Sequence, residues 1–148
     1  MGEINRVVAR FLDGRVLKGT TEDFLPNRPK FHLHPLGNAP PEVVACRDLK
    51  AVFFVRDFSG DAARKDMKGF GHLPVEANQG KKISVVFKDG EVISGYTLAY
   101  SREREGFFVV PADPGSNNIR IYVLRGAAQK VLVGPQADEF FRRNADAA

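Results

Sequence analysis

Residues 11–35, FLDGRVLKGTTEDFLPNRPKFHLHP, and residues 87–111, FKDGEVISGYTLAYSREREGFFVVP, decide the fold because they are one stretch written twice. Laid on each other at an offset of 76 without a gap, they agree at nine of 25 positions. The identities are Phe11/Phe87, Asp13/Asp89, Gly14/Gly90, Val16/Val92, Gly19/Gly95, Thr21/Thr97, Arg28/Arg104, Phe31/Phe107 and Pro35/Pro111. Unrelated segments would agree at about one or two, since common residues each make up roughly 5–8% of a chain. The shared residues are those a β-hairpin needs, so the repeat carries structural meaning. Further on, EVVACRDLKAVFFV (42–55) and IYVLRGAAQKVLV (121–133) correspond after a three-residue difference in loop length.

Each copy reads as a short all-β unit. Val7, Ala9 and Phe11, and in the second copy Ile83, Val85 and Phe87, alternate with the period of a strand buried on one face. Asp13-Gly14 and Asp89-Gly90 follow with the chemistry of a two-residue type I′ turn, which places Phe11 opposite Val16 and Phe87 opposite Val92. In that register Leu17 and Ile93 point away from the core, and Gly19 and Gly95 permit a bend in the returning strand. A third strand, FHLH or FFVV, ends at Pro35 or Pro111. A loop with turn residues follows, Asp113-Pro114-Gly115 in the second copy, and then two more strands. The expected organisation is therefore a first unit over 1–56, a polar linker over 57–81 with one helical turn near Ala62 to Met67, a second unit over 82–134, and a C-terminal helix over 135–148 that starts at Pro135. The run LKAVFFV is apolar on both faces, so a sister copy or a partner should cover it; Phe53 and Phe54 are the expected interaction edge.

VVARFLDGRVLKGTTEDF and ISVVFKDGEVISGYTLAY resemble the first signature of Sm-like (LSm) proteins, and IYVLRGAAQKVLV resembles their second, in which an Arg-Gly turn joins the last two strands. The resemblance covers roughly residues 6–55 and 82–133. It implies an all-β fold of two tandem five-stranded Sm-like/SH3-like small barrels, with a short C-terminal helix beside them. It also implies assembly through the outer edges of strands four and five, and an RNA pocket that uses the Arg-Gly turn, here Arg125 and Gly126. The first copy has Arg47 and Asp48 at that turn, and the asparagine expected before the third strand is replaced by Lys30 and Gly106. The strings FLPNRPKFHL and DLKAVFFVRDFSGD also resemble an uncharacterised bacterial domain found with signalling modules.

Composition narrows the function classes. The chain has 148 residues, 43% of them hydrophobic, and a net charge of +4, too slight an excess to demand a nucleic-acid partner. No apolar run approaches the ~20 residues of a membrane span, and the start lacks a signal peptide pattern. A single cysteine, Cys46, excludes an internal disulfide and suits the cytoplasm. There is no phosphate-binding glycine loop, no nucleophile elbow and no CxxC, so no catalytic residue is assigned and the protein is read as not an enzyme. His32 and His34 share one strand face, but two imidazoles fall short of a metal site, and neither metal nor cofactor is expected. Arg28 and Lys30 beside Phe24 and Phe31, and Arg102 and Arg104 beside Tyr100 and Phe107, combine cations with aromatic faces as single-strand binders do. The same loops hold Glu22, Asp23, Glu103 and Glu105, which repel phosphate. The leading expectation is a non-catalytic intracellular regulatory or protein-interaction module that uses strand edges, with a protein partner or self-association and no membrane. The alternative is single-stranded RNA binding through Arg28, Lys30, Arg102, Arg104, Arg125 and Gly126.

Overall fold

The computed structural model describes residues 4–26, 28–37, 39–58, 80–98, 100–101, 103–112, 117–137 and 139–140. Ten strands follow one another: β1 (Asn5–Phe11), β2 (Val16–Thr21), β3 (Lys30–Pro35), β4 (Glu42–Ala45), β5 (Leu49–Val55), β6 (Lys81–Phe87), β7 (Val92–Thr97), β8 (Gly106–Pro111), β9 (Asn118–Leu124) and β10 (Ala128–Val133). They form one antiparallel sheet in the order β10-β6-β7-β8-β9-β5-β1-β2-β3-β4. One turn of 3-10 helix, Cys46–Asp48 and Arg125–Ala127, joins the last two strands of each half. Residues 135–137, 139 and 140 are helical. The expected linker helical turn near Ala62 to Met67, the turn at Asp113-Pro114-Gly115 and residues 141–148 lie outside the described residues.

The duplication is written into the register. Asn5 pairs with Thr21 and Lys81 with Thr97; Gly19 pairs with Pro35 and Gly95 with Pro111; Lys30 pairs with Ala45 and Gly106 with Leu124. Loop hydrogen bonds repeat as well: Leu12 N donates to Asp48 O and Lys88 N to Ala127 O, each docking a hairpin tip on the 3-10 turn of its own half.

The halves do not close into barrels. Beyond its partner β1, β5 pairs with β9 of the other half, while among the described residues β4 pairs only with β3 and β10 only with β6. A closed first barrel would need the second edge of β5, and β9 occupies it. The expected pair of five-stranded Sm-like/SH3-like barrels is therefore replaced by one open sheet, and the Sm-like resemblance falls with it. Phe53 and Phe54 are not at an interaction edge either. They sit in a central strand, 7% and 3% exposed, between β1 and β9.

This central position explains the apolar run. Side chains alternate along a strand, so Val52 and Phe54 enter one core with Val7, Phe31 and Leu33, while Ala51, Phe53 and Val55 enter a second with Ile83, Val85 and Phe87. In β9, Tyr122 and Leu124 join the first core and Ile121 and Val123 the second. Each half thus supplies one strand to both cores.

The hairpin register also differs from expectation. Phe11 N donates to Arg15 O (2.9 Å) and Phe87 N to Glu91 O (2.8 Å), so each loop has three residues and Val16 faces Arg10, as Val92 faces Val86. Only Gly14 (φ +94°) and Gly90 (φ +93°) take positive φ there, whereas a type I′ turn would require it of Asp13 and Asp89 too. The aspartates instead accept from the backbone two residues on, at Arg15 N and Glu91 N. A one-residue change in register moves every side chain to the other face. Leu17 and Ile93 accordingly pack on the cores, and Val16 and Val92 are exposed. Gly19 and Gly95, on the same strand face as Leu17 and Ile93, lie inward with them, where a Cβ would come within 2.1 Å of His34 O and 1.9 Å of Val110 O. They let the third strand of each half cross close against the second.

Candidate functional site

The seam between the halves gathers most of the chemistry. Phe24, from the β2–β3 loop, meets Phe31, Phe54, Phe108 and Tyr122 edge to face at centroid distances of 5.1, 5.3, 6.2 and 5.1 Å. Tyr122 reaches from the second half to the first and donates its hydroxyl to Pro26 O (2.6 Å). Its ring lies where a side chain at position 106 would be, since a Cβ on Gly106 would stand 2.4 Å from Tyr122 Cζ. Burial pushes the Tyr122 hydroxyl up to about 12, with the Cys46 and Glu105 charges adding and Arg104 opposing. The half-buried Arg120 lies with its guanidinium carbon 4.5 Å from the Phe54 ring centre and 4.6 Å from that of Phe108.

A second tie crosses the seam at the other end of β5. Lys50, its side chain 9% exposed, places Nζ 2.7 Å from Asp89 Oδ2 and also on Glu91 Oε1, both in the β6–β7 hairpin. The ammonium stands 4.6 Å above the Phe87 ring. The hydrogen bond from Lys50, helped by that from Glu91 N and by the charges of Lys50 and Arg10, holds the Asp89 carboxyl below its ordinary range. Gln129 occupies the corresponding place in β10, and Arg15 the place of Glu91, so the repeat does not reproduce this clamp.

The basic residues singled out from the sequence are brought partly together. Cys46 Sγ contacts Arg28 O at 3.6 Å and Cys46 N donates to Pro29 O; Arg125 N donates to Glu105 O, and Glu105 lies near enough to raise the Cys46 thiol, which burial raises first. Arg28, Arg104 and Arg125 therefore lie around one end of the seam, all exposed, with Glu103 and Glu105 among them. Lys30 is exposed on β3, and Arg102 lies outside the described residues. Phe31 and Phe107, at 1% and 3% exposure, are core and offer no stacking face. Gly126 is not required by its conformation: it has no positive φ, a Cβ there would meet nothing, and the equivalent turn of the first half carries Arg47.

His32 and His34 are both exposed on β3. Asp23 Oδ2 lies 2.7 Å from His32 Nδ1, and Asp23 Oδ1 accepts from His32 N (2.9 Å) and Thr21 Oγ1 (3.2 Å). Burial works to raise the Asp23 carboxyl, but these bonds outweigh it and leave it below the ordinary carboxylate range. Among the described residues no group of three or more His, Cys, Asp or Glu could hold a metal ion. Among them, too, no helix is long and apolar enough to cross a membrane.

The remaining feature is the pair of outer strands. β9 is flanked on both sides, and its Tyr122 is 2% exposed. β4, its counterpart in the first half, is among the described residues flanked on one side only, and Val43, at the Tyr122 position, is 57% exposed. Sequence reasoning missed this edge because it looked for the unpaired strand in the most apolar run. It also missed Lys50, Arg120 and Tyr122. The available signal was a charge set within or beside otherwise apolar strands, LKAVFFV and IRIYVL.

Fold and seam together define a tandemly duplicated, all-antiparallel sheet protein with two shared central strands and two outer ones that, among the described residues, pair on one side. The chain belongs to a family of unknown function, DUF6982, whose model matches residues 3–134 and so takes in both halves. Comparison with curated proteins and with solved structures gave no match.

Proposed function

We propose that the protein is a non-catalytic interaction module, working in the cytoplasm, that takes up an extended segment of a partner protein along the free edge of β4. The observation that supports this reading is the contrast between β4 and β9. The same repeat position is covered by a strand in one half and left open in the other, with a large apolar side chain exposed on it. Strand addition to such an edge supplies main-chain hydrogen bonds for affinity and alternate side chains for specificity. The edge is short, and Pro40 and Pro41 precede it, which limits indiscriminate pairing. The test is a photo-crosslinking residue at position 43, with one at the exposed Leu12 of the β1–β2 turn as control, in cells that express the chain. Adducts at 43 and none at 12 support the reading; equal yields, or none at 43, overturn it.

A second reading, single-stranded RNA binding, has the convergence of Arg28, Arg104 and Arg125 in its favour. It calls for binding of oligo(U) that falls log-linearly with salt and is abolished in Arg104→Ala/Arg125→Ala. Affinity unchanged by that pair of substitutions would eliminate it.

A further inference from the structure

We infer that the partner strand at β4 is β10 of a second copy of this chain, paired antiparallel in the register that joins β5 to β9 within the molecule. This rests on the reading of β4 as a docking edge, and it names the occupant.

The repeat makes β10 the counterpart of β5 and β9 the counterpart of β4. Inside the molecule a strand of the first kind pairs with a strand of the second, Ala51 with Val123, Val52 with Tyr122 and Phe53 with Ile121. After that pairing, among the described residues, one strand of each kind is left with an open side, β10 at one end of the sheet and β4 at the other. Two copies can therefore repeat between them the junction that each contains. Transferring the register sets Lys130 opposite Val44, Val131 opposite Val43, and Leu132 opposite Glu42. The half-buried Val131 then covers the exposed Val43, as Val52 covers Tyr122. Lys130 and Glu42 become diagonal neighbours of opposite charge on one face, within reach across antiparallel strands.

Among the described residues nothing pairs with the outer side of β10. Ala137 tucks against Leu132, Tyr96 and Ala112, and its counterpart in the first half, Phe58, packs on the second core while β5 and β9 remain paired beside it. The new junction is shorter than the internal one, since β4 has four residues and β9 seven, and it lacks the Lys50 clamp and the aromatic seam. Association is accordingly reversible and depends on concentration. Because the two edges differ, the contact is head to tail and generates rings or open chains rather than a two-fold dimer.

Light scattering after size exclusion should give a mass that rises above one chain as concentration rises, and Val43→Lys should return it to one chain. Mixing Val43→Cys with Val131→Cys under mild oxidation should yield a mixed disulfide dimer. The control pair Val43→Cys with Lys130→Cys, one residue out of register, should yield none. A mass of one chain at every concentration up to millimolar, with no mixed disulfide from variants whose circular dichroism is native, overturns the proposal. If position 43 nevertheless photo-crosslinks to a different protein, self-pairing fails and the docking edge stands. If it crosslinks to nothing, both fall.

Discussion

Lys50 allows a prediction in which the cost depends on which partner is removed. Its ammonium is almost fully buried, whereas its partners Asp89 and Glu91 keep 56% and 40% of their side-chain exposure. Lys50→Met preserves the aliphatic stem and leaves two carboxylates that water can solvate. The loss is two half-exposed ion pairs, each worth ~0–1 kcal/mol, and a cation–π contact of roughly 0.5–1 kcal/mol. A net destabilisation of about 1–2 kcal/mol follows from those terms, which lowers the melting temperature by roughly 3–6 °C in a chain of this size. Asp89→Asn/Glu91→Gln removes the same pairs but strands the cation in a nearly closed site, and breaking a buried pair that way costs about 3–5 kcal/mol. The triple variant, with Lys50→Met added, should then be more stable than the double. Urea unfolding monitored by circular dichroism measures all three, with equal slopes as the check on two-state behaviour. If the double variant costs no more than Lys50→Met, or the triple recovers nothing, Lys50 is not caged and the clamp across the seam is not a source of stability.

Phe54→Ala should destabilise by about 3–5 kcal/mol, and Phe54→Lys should abolish folding, because the side chain is core to the shared strand; a folded Phe54→Lys chain would contradict the central placement of β5. Tyr122→Phe should cost ~1 kcal/mol through the lost bond to Pro26 O, and Gly106→Ala should cost more because its Cβ enters the Tyr122 ring, both read by thermal melting. Absorbance near 295 nm should show Tyr122 ionising near pH 12, and Tyr122→Phe should remove that step. The raised value means that its contribution is intact below the unfolded value near pH 10 and is lost as pH rises toward 12. Asp23 and Asp89 are both depressed, so the stability they add is present above about pH 4 and is lost as pH falls through their folded values; Asp23→Asn/Asp89→Asn should flatten the acid limb of a pH–stability curve.

The strands were legible one by one because alternation of Val7, Ala9 and Phe11 and of Ile83, Val85 and Phe87 needs no tertiary knowledge. The repeat gave their correspondence. Register was harder. Asp-Gly serves both a two-residue loop and a three-residue loop in which glycine alone takes positive φ, and the choice between them decides whether Val16 or Leu17 is core. The path of the sheet was not local information at all. LKAVFFV showed that it would be covered on both faces, but its covering strand, NIRIYVL, lies more than 60 residues away and was itself read as part of a closed barrel. The same long reach hid the seam: Tyr122 and Pro26 are 96 residues apart. Histidine and arginine spacing, by contrast, drew notice to β3 and the loops, where the groups proved exposed.

The sharing of β5 and β9 has a bearing on ancestry. A chain of one half alone would present an uncovered strand of each kind, apolar on the side that the other half now shields, so it would persist only as an assembly of identical units. Joining two such units in one polypeptide makes the encounter of one with the other intramolecular, and removes the dilution penalty from the central junction. Production of the halves as separate polypeptides, split within residues 59–79, should therefore restore the sheet on mixing, as a complementation pair.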